Sequence, residues 1–239
     1  MTERGAAQLY REPAQLSIGP SEMQWTGSAL KISVNEICAP LPRRVRGNIR
    51  LVPSALCERG FHLDVNGRHE WTPFAPRARI EVALSQPALN WSGVGYFDSN
   101  SGAEPLENAF DDWTWSRASL PKSTVVLYDV TSRDALATAP VRPLALKFAA
   151  NGDIERLEPP PATVLPKTGW RVARHTRADA GHAVRVVRTL EDAPFYSRSL
   201  LDTYLLGRRT PAIHESLNLN RFRSAWVKCL LPFRMPRHG

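Results

Sequence analysis

Arg79-Ile80-Glu81-Val82-Ala83-Leu84 alternates Ile, Val and Leu with Arg, Glu and Ala. A period of two turns one face of a strand to a core and the other to water. The same period returns in Ala29-Leu30-Lys31-Ile32-Ser33-Val34, in Thr124-Val125-Val126-Leu127-Tyr128-Asp129-Val130 and in Ala183-Val184-Arg185-Val186-Val187-Arg188-Thr189-Leu190. Gly, Pro, Asn, Asp or Ser bounds each run, and these residues supply turn dihedrals or withhold a ladder donor. Asn151-Gly152, between Leu144–Phe148 and Ile154–Leu157, predicts a hairpin. Asn66-Gly67, between Phe61–Val65 and His69–Trp71, predicts another. Helical periodicity is scarce. The best helix candidate is Phe195 to Leu206, where Ser197 to Asp202 could make a turn or two.

Many short strands at regular spacing imply an all-β barrel or sandwich. The 20 prolines, most of them between apolar runs, point the same way. Gly102 to Asp112 has few strand formers and separates two strand-rich halves. The expected organisation is therefore a domain over 1–108 and a second over 109–239.

The chain of 239 residues carries 31 Lys and Arg against 23 Asp and Glu, a net charge of +8. That balance suits a solvated basic surface or an anionic lipid surface. A nucleic-acid partner is not expected, because no RNP, KH or zinc-ligand pattern accompanies the charge. Cys38, Cys57 and Cys229 are far apart with no CxxC spacing, which argues for a reducing compartment. The first residues carry charge throughout and contain no apolar core of a signal peptide. No apolar run approaches the ~20 residues that span a bilayer. A cytoplasmic protein, free or peripheral to a membrane, is expected.

Two short motifs carry chemistry. In Trp91-Ser92-Gly93-Val94-Gly95-Tyr96-Phe97-Asp98-Ser99-Asn100, a strand would put Tyr96, Asp98 and Asn100 on one face and Phe97 on the other. His69 and Trp71, also two apart, share a face. On neighbouring strands the two pairs could line one cavity with an acid, a phenol, an imidazole and an indole, a set suited to proton transfer beside a cation-stabilising ring. Each residue alone has a plainer reading: a hairpin histidine, a core tryptophan, a tyrosine at a barrel end, an Asx-turn aspartate. Asp111 and Asp112 beside Trp113 and Trp115 read as structural. His175 and His182 lack a third ligand at usable spacing, so no metal site is expected. Glu191-Asp192 reads as a turn.

The run from Gly93 to Glu107, GVGYFDSNSGAEPLE, closely resembles the central signature of the carotenoid 1,2-hydratases, also called hydroxyneurosporene synthases. The resemblance continues through Phe110 to Ala118, Thr189 to Arg198 and Leu231 to Arg237, and so covers nearly the whole chain. It implies two consecutive lipocalin-like antiparallel β-barrels and hydration of acyclic carotenoids without a cofactor or metal. The family's His-x-Trp and Tyr-x-Asp pairs fall on His69 and Trp71 and on Tyr96 and Asp98, with proton transfer assigned to Asp98. Members usually begin several tens of residues earlier, so the resemblance points to a first barrel short of its opening strands.

The implied reaction protonates C2 of a terminal isoprene unit and captures the C1 cation with water, as expected for neurosporene, lycopene and their derivatives. In this scheme Trp71 faces the cation, while His69 and Tyr96 handle the water. So insoluble a substrate implies peripheral contact with the inner or photosynthetic membrane, served by Leu230, Leu231, Phe233 and the basic residues near them, and contact with other carotenoid-biosynthesis enzymes. Two alternatives share the fold: a non-catalytic carotenoid or lipid carrier, and a cyclase or isomerase of the same superfamily.

Overall fold

The computed structural model describes residues 2–38, 41–133, 142–230 and 233–234. After β1 (Thr2–Glu3) come β2 (Leu9–Glu12), β3 (Gln15–Ile18), β4 (Ser21–Trp25), β5 (Leu30–Ile37), β6 (Arg44–Pro53), β7 (Phe61–His62), β8 (His69–Gln86) and β9 (Ala88–Gly102). Strands β2 to β9 form one antiparallel sheet in the order β2-β3-β4-β5-β6-β8-β7, with β9 also on β8. The alternation at Arg79–Leu84 thus sits inside a long strand that pairs with β6 and β9. Asn66-Gly67 turns between β7 and β8 as expected, with Gly67 at φ 65°. The strand before it is short, because Asp64 folds its carboxylate back onto the backbone N–H groups of Asn66, Arg68 and His69.

A short helix, α1 (Leu106–Ala109), bridges to the second half. There β10 (Phe110–Ser119), β11 (Ser123–Ser132), β12 (Leu144–Ala149), β13 (Ile154–Arg156), β14 (Ala162–Leu165), β15 (Arg174–Arg177), β16 (Arg185–Asp192), β17 (Tyr196–Leu205) and β18 (Arg208–Asn218) follow. Seven of them make a second antiparallel sheet, β13-β12-β11-β10-β18-β17-β16, while β14 and β15 pair as a separate hairpin. The chain then runs through α2 (Leu219–Phe222) and α3 (Ala225–Leu230) to β19 (Phe233–Arg234), which pairs in parallel with β1.

The all-β expectation therefore holds, and the predicted hairpin at Asn151-Gly152 joins β12 to β13. The one expected helix does not form. Phe195 to Leu206 is largely β17, in full register with β18. Its inward positions are Ser197, Ser199, Leu201, Thr203 and Leu205, all buried. Small hydroxyl residues on the inner face hide the apolar alternation by which a strand is recognised. Glu191-Asp192 likewise ends β16, and the turn follows at Ala193, whose N–H bonds to the carbonyl of Tyr196 at 2.8 Å.

The second sheet has two buried faces, and its alternation decides which residues reach the first sheet. Thr114, Ser116 and Ala118 of β10 point inward with Val125, Leu127, Leu201 and Leu205. Trp113, Trp115 and Arg117 occupy the alternate positions. Trp115, Val126, Tyr128, Leu146 and Phe148 on that face pack in one cluster with Phe61 and Trp71 of the first sheet. Burying aromatic and aliphatic area in this joint, at roughly 25 cal/mol per Å², locks the two sheets together.

Candidate active site

The ladder between β8 and β9 is irregular at one place. Thr72 pairs with Ser99, the next pair is Ala75 with Phe97, and the next is Ala78 with Gly95. Pro73 and Phe74 thus stand opposite Asp98, while Pro76 and Arg77 stand opposite Tyr96. Two residues against one is a β-bulge, and proline causes it by bringing no N–H to the ladder. The bulges re-aim the side chains across them. Phe97 and Asp98, which a regular strand would send to opposite faces, both line the same cavity.

Asp98 Oδ2 accepts hydrogen bonds from the Trp71 indole N–H at 2.7 Å and the Tyr96 hydroxyl at 2.8 Å. Oδ1 accepts none among the described residues. Burial, then the Asp98 charge and the hydrogen bond to it, push the Tyr96 phenol far above its ordinary range. Tyr96 is therefore a fixed proton donor near neutral pH. The indole of Trp71 is fully buried, tilted against Phe61 at 5.7 Å and edge-on to Tyr128 at 5.7 Å and Phe148 at 6.4 Å.

The second sheet packs behind Tyr96 and Trp71. The Tyr96 ring lies 5.1 Å from that of Trp115 and has the Arg117 guanidinium 5.1 Å from its centroid. Tyr128 donates its hydroxyl to Asn100 Oδ1 at 3.3 Å. Burial and the nearby charges of Asp98 and Glu215 raise the Tyr128 phenol as well.

His69 is placed differently from the expectation. Its ring nitrogens lie 3.2 Å from Asp64 Oδ2 and 3.1 Å from the carbonyl oxygen of Glu104. Both partners are acceptors, so both nitrogens are engaged away from Asp98. Burial raises the Asp64 carboxyl, but the N–H groups of Arg68, His69 and Asn66 and the His69 ring outweigh it and hold Asp64 below the usual range. A Cβ at Gly102 would meet the imidazole at 2.6 Å, which is why glycine stands there. His69 ties the Asp64 turn to the end of β9 and so fixes the strand that carries Trp71.

The structure thus brings Trp71, Tyr96 and Asp98 together and leaves His69 one contact behind them. Asp98 lies on the wall of a cavity of about 860 Å³ whose apolar surface comes from Leu16, Met23, Trp25, Leu30, Phe74 and Phe97. A second cavity of about 460 Å³ shares Trp25, Leu30, Phe74 and Phe97 and continues to Leu51, Pro53 and Cys57. Sequence reading missed Arg117 and Tyr128. The alternation Trp113-x-Trp115-x-Arg117 was the available signal for Arg117, since an arginine on an aromatic face needs a partner there.

The whole chain, residues 1–239, matches the family model of the carotenoid hydratase CrtC. It is 55% identical over its full length to the acyclic carotenoid 1,2-hydratase of Thiocapsa roseopersicina and 44% identical to that of Rubrivivax gelatinosus, and spans 58% of each. It is 43% identical to the enzyme of the same name from Cereibacter sphaeroides, covering 84% of it. Among solved structures it resembles an AttH-type protein of Nitrosomonas europaea, with TM-score 0.60 and 11% identity over 89% of this chain and 71% of the other. The complex of CghA with Sch210972 gives TM-score 0.51 and 12% identity over 88% and 69%. At such identities the two structures speak for the fold.

Proposed function

This chain belongs to the carotenoid hydratase CrtC family, and from that premise we propose that it adds water to the terminal C1–C2 double bond of an acyclic carotenoid, with Asp98 as the acid. One observation carries the reading. Asp98 stands on the wall of an apolar cavity with Oδ2 held by two donors and Oδ1 left for substrate.

The step runs as follows. The Asp98 carboxylic acid gives its proton to C2, using the π electrons, and leaves a tertiary cation at C1. A water oxygen bonds to C1, and the proton it sheds restores the acid. One water is consumed and no electrons are transferred, so the reaction asks for no redox partner. As the proton leaves, negative charge gathers on the carboxylate, and the hydrogen bonds from Trp71 and Tyr96 strengthen. Bonds to a charged group are worth about 1.5–3 kcal/mol each. Because they grow during proton transfer, they stabilise the transition state more than the ground state.

This assigns the four residues unequal tasks. Asp98 is catalytic. Trp71 and Tyr96 fix its orientation and stabilise its conjugate base. Tyr96 is a poor base, because its phenol holds its proton. The indole N–H gives Trp71 a task besides facing a cation. His69 is a positioning residue, through Asp64 and Glu104.

We also infer a peripheral seat on a membrane surface from the cytoplasmic side, where a polyene substrate and neighbouring enzymes of its synthesis would reside. Among the described residues no helix is long and apolar enough to cross a membrane. Trp170 and Trp226 are 51% and 52% exposed with rings 6.4 Å apart, and Arg171, Arg223 and Lys228 are exposed on the same segments. Exposed indoles among cations suit an anionic lipid interface.

The test is an anaerobic incubation of the protein with lycopene or neurosporene in lipid, in heavy-oxygen water. A product heavier by one water, with the label in its hydroxyl, is expected. Tight binding of the polyene with no product would identify a carrier instead. An isomer of unchanged mass would identify a cyclase or isomerase.

A further inference from the structure

We propose that Arg117, carried by the second sheet, is a positioning residue for the acid: it clamps the Tyr96 ring and supplies the positive charge that stabilises the Asp98 carboxylate during proton transfer. This rests on the hydratase reading and adds a residue that neither motif contains.

On β10, Arg117 pairs with Val126 of β11 and Ile213 of β18 in the middle of the sheet. A part-buried guanidinium between two β-branched aliphatic residues is unfavourable unless something uses its charge. Its only side-chain hydrogen bond among the described residues is a long one, 3.4 Å to Ser119 Oγ. Burial pulls the guanidinium below its ordinary range, and the groups that oppose this and favour its charge are Tyr96 and Asp98. Its carbon Cζ sits 5.1 Å from the Tyr96 ring centroid, within the range of cation–π attraction.

Trp115, two residues earlier on the same face, contacts the same ring at 5.1 Å. Tyr96 is therefore fixed by consecutive positions on the face of β10 that meets the first sheet, and its hydroxyl is aimed at Asp98 Oδ2. The second sheet becomes part of the catalytic apparatus, and not only a support for the first. A cation behind the phenol draws electron density from the ring, which makes the hydroxyl a better donor. The same charge favours the carboxylate that remains after C2 takes its proton. Both effects appear in the chemical step. Neither touches polyene binding.

The other charged or titratable groups around this cluster are Tyr128, with Glu215 acting on it, and Arg11 and Glu12 across the cavity. None of them is changed in the experiment. The measurement is kcat and KM against pH for the wild-type protein, Arg117→Met and Arg117→Lys, with thermal midpoints alongside. In Arg117→Met, kcat should drop about tenfold, with KM within about twofold, because a weaker acid protonates carbon more slowly. Any alkaline limb of its kcat profile should move upward, as follows when a nearby positive charge is lost. Arg117→Lys keeps the charge without the planar stack. It should return the limb to the wild-type position and recover part of kcat.

A folded Arg117→Met with wild-type kcat and an unmoved limb overturns the proposal. So does a Lys variant indistinguishable from Met, which would assign Arg117 to packing alone. If Met does not fold, Arg117→Gln carries the same expectations. Failure of the hydratase reading is visible separately, as a wild-type protein that makes no hydrated product.

Discussion

Two polar clusters, the part-buried one around Asp98 and the fully buried one around His214, differ in what their last polar atom meets. His214 is fully buried in the second sheet. Its Nδ1 lies 2.8 Å from Ser116 Oγ and its Nε2 2.9 Å from Ser216 Oγ, while Ser116 continues to Thr176 at 2.9 Å. Both ring nitrogens are used and the network closes on itself. Asp98 has the same density of partners on one oxygen, yet its other oxygen is left open beside a cavity. Burial and hydrogen bonding are common to both clusters. Chemistry needs the unfilled valence next to a space that fits a substrate.

The largest effect should come from breaking the open cluster. Asp98→Asn keeps the shape and an acceptor oxygen for Trp71 and Tyr96, but it has no acidic proton to give. We expect turnover to fall by about 10³-fold or more, the upper range for a general acid, with a thermal midpoint within a few degrees of wild type. His214→Gln at neutral pH should leave turnover within about threefold. If the two variants exchange behaviours, the reaction belongs to the His214 cluster of the second sheet.

Several strands were legible in the sequence, because Ile, Val and Leu mark the inner positions of β5, β8 and β11, whereas in β16 Val187 and Leu190 are exposed and two register shifts break the period. The Asp98 neighbourhood was half legible. Spacing put Tyr96 and Asp98 on one face, and adjacency of the strands brought Trp71 to them. The same spacing also promised His69, and there it failed. A shared face says which way a side chain leaves the strand, and the Asp64 turn and the Glu104 carbonyl then intercept it. Pro73 and Pro76 were visible as breaks in a strand pattern, and they are what turns Phe97 and Asp98 into one cavity. The His214 cluster was illegible. Its hydrogen bonds run through Ser116, Thr176 and Ser216 on three strands, and the small polar Ser197, Ser199 and Thr203 on the inward face of β17 made that strand read as a helix. Arg117 and Tyr128 come from another sheet, and a local alternation marks their face without saying which residues of the first sheet they meet.

The closed cluster should reveal itself in stability instead of rate. Burial first, then the charges of His175 and Arg174, push the His214 imidazole down to about 3. An unfolded histidine takes its proton near pH 6.5, so above that pH the group has no effect. Below it the unfolded chain binds one more proton than the native one, and stability falls by up to about 1.4 kcal/mol per pH unit until the native imidazole titrates. Urea midpoints of the wild-type protein should therefore drop between pH 6.5 and 4. In His214→Gln that slope should shrink by about one proton. An unchanged slope would show that His214 is already charged at neutral pH or that other groups govern the acid limb.

The smallest effect concerns a surface far from both clusters in chemistry. Arg221 donates to the carbonyls of Trp170 and Pro194, at 2.5 and 3.1 Å, and so fastens the Trp170 turn to α2 and α3. That fastening presents Trp170 and Trp226 as a rigid pair, with Val227 as the buried anchor of α3. A rigid exposed indole pair loses little conformational entropy on entering a lipid interface, while nearby Lys or Arg adds about 1 kcal/mol each near an anionic surface. Replacing both tryptophans by alanine should cut co-sedimentation with phosphatidylserine vesicles several-fold and leave turnover of detergent-dispersed substrate near wild type. Raising the salt should weaken binding of both proteins by the same factor, since the cations are unchanged. Equal sedimentation of variant and wild type would remove this surface from the membrane reading, and loss of turnover in detergent would mean that the pair supports the fold.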